Sequence, residues 1–464
     1  MRCRWILTAL VTGLSVPAGG WAQPVVQPTA GKLVVKSAVS PVPAAVPALK
    51  YLLLPELRDR QPGNQVQAFY KCFMEQQAFY HDRGEVEKRD RWSAAPLADL
   101  AGEKDLVGYG GSGLRQADYA ARLESVDWGL LPQFRAEGIN LLLPDVQQLR
   151  QLAGALRVRA RGEIARKDYD AALRTLQTMF ALASTFNEHP TLIGQLVGIA
   201  VANMTLGVVE EFQQQPGAPS LFWALADLPA PFIDLRKGMQ GERLWLPKEY
   251  DLLRRAEPIP EAVLDRRVKE LTEWLSSGEG GKKLTPASEF YASRAGNPTT
   301  VAAMKERLAK LGHRPAELDK LSPLQIAMMD DFAGYERYRD DLMKWTNLPH
   351  WELPADLAAR KPPEGILPEL APAAFKVIQA RTRVQQYLSL LQAVEAVRIH
   401  AAGNEGKVPA SLADTKLPVP ADPVTGKPFD YEARGGVAVI RGTPPADRKD
   451  DPFFNRVFEV TIRR

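Results

Sequence analysis

The chain has 464 residues, of which 45% are hydrophobic and 25% are charged, so it can form roughly two or three domains with a sizeable core. Its 59 basic and 55 acidic residues give a formal net charge of only +4. This near-neutral balance lacks the basic excess of nucleic-acid-binding domains, and we therefore expect no nucleic-acid partner.

Residues 1–22 have the features of a secretory signal peptide. Arg2 and Arg4 precede an uncharged segment, Ile6 to Val16, and small residues then lead to Ala22. We expect export, with cleavage after Ala22, and a periplasmic or extracellular location. An uncleaved membrane anchor is the alternative; with cleavage, we expect no transmembrane helix in the mature chain.

A Pro-rich tether is predicted over residues 23–50, with a short strand at residues 32–35. An α-helical body is predicted over residues 51–350. Its first helix is expected to begin at the capping residue Asn64 and to extend to His81. Cys72 in this helix is the one cysteine left after cleavage, so we expect no internal disulfide and a buried thiol.

A polar stretch follows, from Glu85 to Gly113, and contains the sequence GYGGSG at Gly108. Glycine-rich loops bind phosphate when they follow a strand with the appropriate glycine spacing. Neither the strand nor the spacing is present, so we interpret this stretch as a flexible connection. A short helix is predicted after it, at residues 114–124.

Three successive antiparallel helices are predicted between residues 144 and 212, because their apolar stripes are separated by short connections. Pro144 is expected to begin the first helix, and Asp168 to cap the second. The third is expected to start after His189 and Pro190.

The third of these helices is the predicted centre of the fold. It carries no charge from Thr191 to Val209 and is apolar on all sides, so it must be buried in protein or in lipid. Gln195, Asn203 and Thr205 would be unfavourable against lipid, which favours burial in protein. Its small residues Gly194, Gly198 and Ala202 are expected to form a smooth stripe.

A local run of basic residues lies at the end of the first of these helices and just after it: Arg157, Arg159, Arg161, Arg166 and Lys167. One interpretation is a patch that binds anions or lipid head groups. The other, which we favour from the sequence, is a solvated helix face.

Further helices are predicted at residues 221–228, 232–246, 260–276, 299–311 and 322–345, and residues 351–372 are predicted to be a proline-broken linker. The longest helix is expected at residues 373–402. The pattern then alternates, which predicts strands at residues 428–434, 437–441 and 457–462. Residues 373–464 are therefore predicted to form a long helix followed by a small antiparallel sheet.

Residues 127–246 resemble a family of exported bacterial helical proteins of uncharacterised function. The resemblance is carried by DWGLLP at Asp127, LLLPDVQQLRQLA at Leu141, HPTLIGQLVGIA at His189, and LFWALADLP and LRKGMQGER between Leu221 and Arg243. KDYDAAL at Lys167 is similar to the start of a second tetratricopeptide-repeat helix, which implies one helical hairpin of that type.

The C-terminal region resembles the soluble domain of type II secretion pseudopilins. A long helix, GNEGKVPASLAD at Gly403 and VPADPVTGKPFDYE at Val419 carry this resemblance. It implies a pseudopilin-like α+β tail. Some pseudopilins bind calcium in a loop of the sheet, but Asp447, Asp450 and Asp451 lack a recognised ligand spacing.

No catalytic, cofactor-binding or metal-binding residue is predicted. The five histidines are scattered, and the sequence has no Cys-x-x-Cys, no His-Glu-x-x-His and no phosphate loop. Glu210 with Glu211 and Asp330 with Asp331 are adjacent pairs, whose side chains point in different directions on a helix.

The predicted fold class is therefore mainly α: a helical-hairpin, tetratricopeptide-like bundle with a small antiparallel C-terminal sheet. The predicted function is that of an exported, non-catalytic scaffold or binding protein of the cell envelope, whose partner is another envelope protein or polymer. The alternatives are a cell-envelope hydrolase with dispersed catalytic residues and a secretion-system accessory protein.

Overall fold

The computed structural model describes residues 31–74, 76–138, 141, 143, 145–244, 246, 248–276, 286–369 and 374–463. The predicted signal peptide with its cleavage after Ala22, the start of the predicted tether, and Pro144 lie outside the described residues. The described chain is mainly helical, and its largest sheet brings together the two ends of the described chain.

The first nine α-helices are α1 Gln65–Met74, α2 Gln77–His81, α3 Arg83–Ala94, α4 Leu97–Leu100, α5 Gly111–Ala120, α6 Leu131–Glu137, α7 Asp145–Ala165, α8 Tyr169–Thr185 and α9 Leu192–Gln213. The later ones are α10 Phe222–Ala226, α11 Arg236–Gly241, α12 Glu261–Ser276, α13 Ala287–Ala295, α14 Pro298–Lys310, α15 Pro315–Leu318, α16 Pro323–Met343, α17 Ile366–Glu369 and α18 Ala374–Gly403. The strands are β1 Leu33–Val39, β2 Gln61–Asn64, β3 Leu123–Ser125, β4 Asp430–Arg434, β5 Val437–Arg441 and β6 Arg456–Ile462.

Helix α9 is the predicted central helix, and it is largely buried within the protein. Thr191 caps it, since its hydroxyl oxygen accepts a hydrogen bond from the backbone N–H of Gly194 at 3.2 Å. By length and hydropathy α9 could span a membrane, but 72% of its most apolar window is buried by other parts of the chain. The prediction that this helix is covered by protein is confirmed.

Helices α7 and α8 pack against each other, and both pack against α9. Asp168 caps α8 as predicted, because its carboxylate accepts a hydrogen bond from the N–H of Ala171 at 3.2 Å. Helix α18 covers another part of α9, and the amide of Gln213 donates to the carbonyl of Leu391 at 3.1 Å. Four helices therefore surround one continuous apolar core.

The C-terminal sheet is mixed, so the prediction of an antiparallel sheet is wrong. Its order is β1-β6-β5-β4, and β1 pairs in parallel with β6, from Leu33 opposite Arg456 to Val39 opposite Ile462. The predicted hairpin of β4 and β5 and the final strand β6 are confirmed. The short strand predicted at residues 32–35 within the tether is present but longer, as β1 Leu33–Val39, whose alternate side chains are buried on one face.

Buried apolar side chains form two clusters. The first extends from β1 through α7, α8 and α9 to α18 and the sheet, and the second contains residues between Tyr250 and Leu367. Helix α18 shares its core with the central helices, and the segment with its own cluster lies in the middle of the sequence.

Two local predictions in the N-terminal half are wrong. The helix predicted from Asn64 to His81 is divided into α1 and α2, although Asn64 does accept a hydrogen bond from the N–H of Val66 at 3.0 Å. The connection predicted from Glu85 to Gly113 contains most of α3 and all of α4. Helix α3 was overlooked because Trp92 is its one large buried apolar side chain. Cys72 is buried as predicted.

Candidate functional site

The part of the basic run that lies on α7, Arg157, Arg159 and Arg161, is internal, which corrects its interpretation as a solvated face, whereas Lys167 beyond the helix is exposed. Arg157 and Arg161 are buried, and Arg159 is paired with Asp118 at 2.6 Å and lies 3.8 Å from Glu163. This is no surface patch for anions or lipids. The arginines satisfy polar groups inside the fold, as buried charges require.

Arg161 joins three helices. It is 1% exposed, and its Nε donates to Glu211 of α9 at 2.7 Å. Its two terminal nitrogens donate to the carbonyls of Trp92, Ser93 and Ala95, at and just beyond the C-terminal end of α3. The guanidinium therefore satisfies carbonyls that have no partner within α3, and its charge complements the helix dipole.

Glu210 has a separate set of partners, so the two adjacent glutamates point in different directions as predicted. Tyr387 of α18 donates its hydroxyl to Glu210 at 2.7 Å, and Arg456 of β6 lies 3.6 Å from the same carboxylate oxygen. Burial raises the pKa of Glu210. These groups join α9 to α18 and the sheet, and their buried contacts indicate a structural role.

A second buried pair holds the N-terminal strand in place. Glu395 and Arg398 of α18 are fully buried and 2.7 Å apart, and Arg398 donates to the carbonyls of Ala218 and Ser40. Ser40 directly follows β1 in the sequence. The pair therefore helps to hold the start of the described chain against α18.

The loop motif in the region that resembles pseudopilins is also structural. Asp422 is fully buried, and its carboxylate accepts hydrogen bonds from the N–H groups of Val424 and Thr443 at 2.9 and 2.8 Å. The amide of Gln386 on α18 donates to the same carboxylate. Asp422 thus fixes this loop to the long helix.

Two of the acidic residues considered as calcium ligands instead contact other side chains of the protein. Asp447 accepts from the amide of Gln379, and Asp451 lies 3.6 Å from Arg383. Among the described residues, no group of three or more His, Cys, Asp or Glu side chains could hold a metal ion.

Glu242 lies at the beginning of α9, where the N–H of Leu192 donates to its carboxylate at 3.4 Å. Burial raises the pKa of Glu242 to about 7. Ionisation therefore opposes folding: the contribution of Glu242 to stability is complete below its unfolded-state pKa and is lost as the pH rises through about 7.

Glu242→Gln is expected to remove this pH dependence, because the amide oxygen can still accept from Leu192 and carries no charge. At pH 8 the variant should be more stable than the parent by about 1–3 kcal/mol, and at pH 5 by much less. Urea unfolding at both pH values measures this difference. Glu124→Gln, at an exposed position, is the control; an equal difference at the two pH values would contradict the assignment.

The candidate binding site is an open cleft of about 1110 Å³ beside α11 and α16. Met239 on one wall belongs to the first apolar cluster, and Ala333 on another packs against the second. The cleft therefore lies where the two clusters meet. Its volume is slightly above the range of about 300–1,000 Å³ that is usual for small-molecule pockets, so it has room for an extended ligand.

Charged side chains line much of this cleft. The basic ones are Arg236, Arg243, Arg294, Arg307, Arg337 and Lys344, and the acidic ones are Asp330, Asp340, Asp341 and Glu364. Each of the four carboxylates has a cationic partner, respectively Arg307, Arg243, Lys344 and Arg294. In the bidentate pair of Arg307 and Asp330, the arginine is 49% exposed and the aspartate 12%, so a ligand meets the guanidinium first.

Three polar side chains of the cleft are free to contact a ligand. Gln240, Arg337 and Asn347 are exposed, and none has a side-chain hydrogen bond or ion pair with any residue that the structure describes. Thr346, which also lines the cleft, is 2% exposed, and its hydroxyl has no partner in the described part of the chain. The cleft thus offers hydrogen-bonding groups that the fold does not use.

Sequence reasoning missed this site entirely. Its lining residues come from positions 236 to 364 and from several helices, and they form no motif. Of the two adjacent acidic pairs considered from the sequence, one residue lines the cleft, Asp330. Its neighbour Asp331 is buried and accepts hydrogen bonds from Tyr291 and from the N–H of Ile366.

Comparisons with protein-family models, with curated proteins and with solved structures find no match to this chain. The two resemblances described from the sequence therefore stay predictions.

Proposed function

We propose that this protein is an exported, non-catalytic binding or scaffold protein of the cell envelope, and that the cleft beside α11 and α16 is its binding surface. The observation that carries the proposal is the set of exposed side chains without partners, Gln240, Arg337 and Asn347, in one open cleft. Export is proposed from the sequence of residues 1–22.

The charge pairing in the cleft supports binding over hydrolysis. A hydrolase built from dispersed acids needs a general acid, a carboxyl group whose pKa is raised, in the cavity that receives the substrate. Here the carboxylates of the cleft are in ion pairs, and Glu210, Glu242 and Asp331, whose pKa values are raised by burial, do not line it.

We also propose two finer features of the fold. Helices α7 and α8 would form a hairpin of the tetratricopeptide type, since they are adjacent, packed together and joined by a short turn. The tail from α18 to β6 would be pseudopilin-like, with the loop around Asp422 between its helix and its hairpin. A secretion accessory with α9 in lipid is less well supported, because α9 is covered by α7, α8 and α18.

Photo-crosslinking in intact cells tests the binding surface. A benzophenone amino acid at Asn347 and another at Leu311 are expected to trap the same envelope component, because both positions line one cleft. Tyr119, which is 47% exposed on α5, is the control position and should not trap it.

Absence of a common product from the two cleft positions, or the same product from Tyr119, would contradict the proposal. Turnover of peptidoglycan, ester or peptide substrates that is abolished by Asp330→Asn would support the hydrolase instead.

A further inference from the structure

The unpaired charge of the cleft is positive. Arg337 projects from α16 with no ion pair or hydrogen bond to a described residue, whereas the four carboxylates of the cleft are already paired. Arg236 and Lys344 are paired with Asp234 and Asp341, but their side chains remain 67% and 54% exposed, and six basic side chains line the cleft against four acidic ones. A ligand that enters the cleft therefore meets more cationic than anionic groups, and electrostatic complementarity favours an anionic ligand.

The two free amides favour a peptide. Gln240 on α11 and Asn347 just after α16 each offer an N–H₂ donor and a carbonyl acceptor. An extended peptide carries one N–H donor and one carbonyl acceptor on almost every residue, so a side-chain amide can satisfy both kinds of group. A ligand that offers only acceptor oxygens, such as a carboxylate ion, can accept from the N–H₂ groups but has no donor for the amide carbonyl oxygens.

The apolar part of the cleft fits side chains of such a peptide. Leu311, which is 44% exposed, and Met343, which is half-buried, both line the cleft. Methionine is flexible and adapts to different apolar partners. Charged, amide and apolar groups in one open cleft together match a peptide that carries both acidic and apolar residues.

We propose that the cleft binds an extended acidic peptide segment of another protein. Its carboxylates contact Arg337 and the exposed cations around it, Gln240 and Asn347 bind its backbone, and Leu311 contacts an apolar side chain. This inference rests on the proposed function, and it names the chemical class of the partner.

Fluorescence anisotropy with the full chain tests the ligand class. The probe is a labelled synthetic peptide of Glu, Leu and Ser, and two matched probes have Gln or Lys in place of Glu. We expect the acidic probe to bind best, with an affinity that falls as NaCl is added. Arg337→Glu should weaken its binding about tenfold, since an attractive charge becomes repulsive.

Arg115→Glu is the matched control, because Arg115 is an exposed arginine on α5 outside the cleft, and it should bind the acidic probe like the parent. Equal unfolding midpoints for the two variants show that any difference in binding is not a folding defect. Equal binding of the Gln or Lys probe, or unchanged binding by Arg337→Glu, overturns the inference.

A better ligand of another class, such as polygalacturonate, also overturns it. If no acidic probe binds while Asn347 and Leu311 still crosslink to one envelope component, the ligand class is wrong and the proposed function stands. If the crosslinks are absent as well, the proposed function fails with it.

Discussion

Arg161→Met is expected to lower the free energy of unfolding by about 3–5 kcal/mol, the usual loss when one partner of a buried ion pair is removed. The substitution keeps an apolar side chain of similar length but removes every donor. Glu211 then remains in the interior without its nearest cation, and the carbonyls of Trp92, Ser93 and Ala95 lose their donors. The end of α3 should therefore loosen from α7.

Chemical denaturation followed by circular dichroism measures this loss. Arg174→Met is the matched control, since Arg174 is exposed on the neighbouring helix α8, and its replacement should change stability by less than about 0.5 kcal/mol. A loss below about 1 kcal/mol for Arg161→Met would mean that the guanidinium is not a buried donor.

A double-mutant cycle separates the two contributions of Arg161. Glu211→Gln in the Arg161→Met background removes the unpaired charge, and it should restore part of the lost stability. The remainder reflects the carbonyls of α3, which the second substitution does not change. Recovery of all the lost stability would show that capping of α3 contributes nothing.

The sequence predicted those parts of the fold that depend on local pattern. Helix α9 is recognisable because nineteen uncharged residues follow one another from Thr191 to Val209. The hairpin of β4 and β5 follows from two alternating runs around Gly435 and Gly436. In each case the information lies within one short window of the chain, where propensity and pattern agree.

Contacts between distant segments could not be predicted in this way. Strand β1 pairs with β6 across more than four hundred residues of sequence, and nothing in a seven-residue strand specifies that partner. The arginines of α7 look like a solvated face, because the acid and the carbonyls that bind Arg161 come from other helices. The cleft was missed for the same reason, since its side chains meet only after the two apolar clusters have packed.

Gly198→Leu is expected to destabilise the protein by about 1–3 kcal/mol or more through overpacking. Gly198 lies on α9 where the helix approaches the end of α8. Even a Cβ atom added there would lie 2.5 Å from the Cβ of Phe186 and 3.3 Å from the carbonyl oxygen of Ala183. Phe186 is fully buried, and because protein interiors are close-packed, we expect the two helices to separate.

Gly207→Ala on the same helix is the control, and it is expected to have the opposite sign. No atom lies within 4 Å of a Cβ added at Gly207, so the substitution brings only the higher helix propensity of alanine, about 0.5–1 kcal/mol. Thermal unfolding of Gly198→Ala, Gly198→Leu and Gly207→Ala should therefore give a lower, a still lower and a slightly higher midpoint than the parent. Equal midpoints for Gly198→Leu and the parent would mean that α9 does not pack against the end of α8, and the arrangement of the central core would then be wrong.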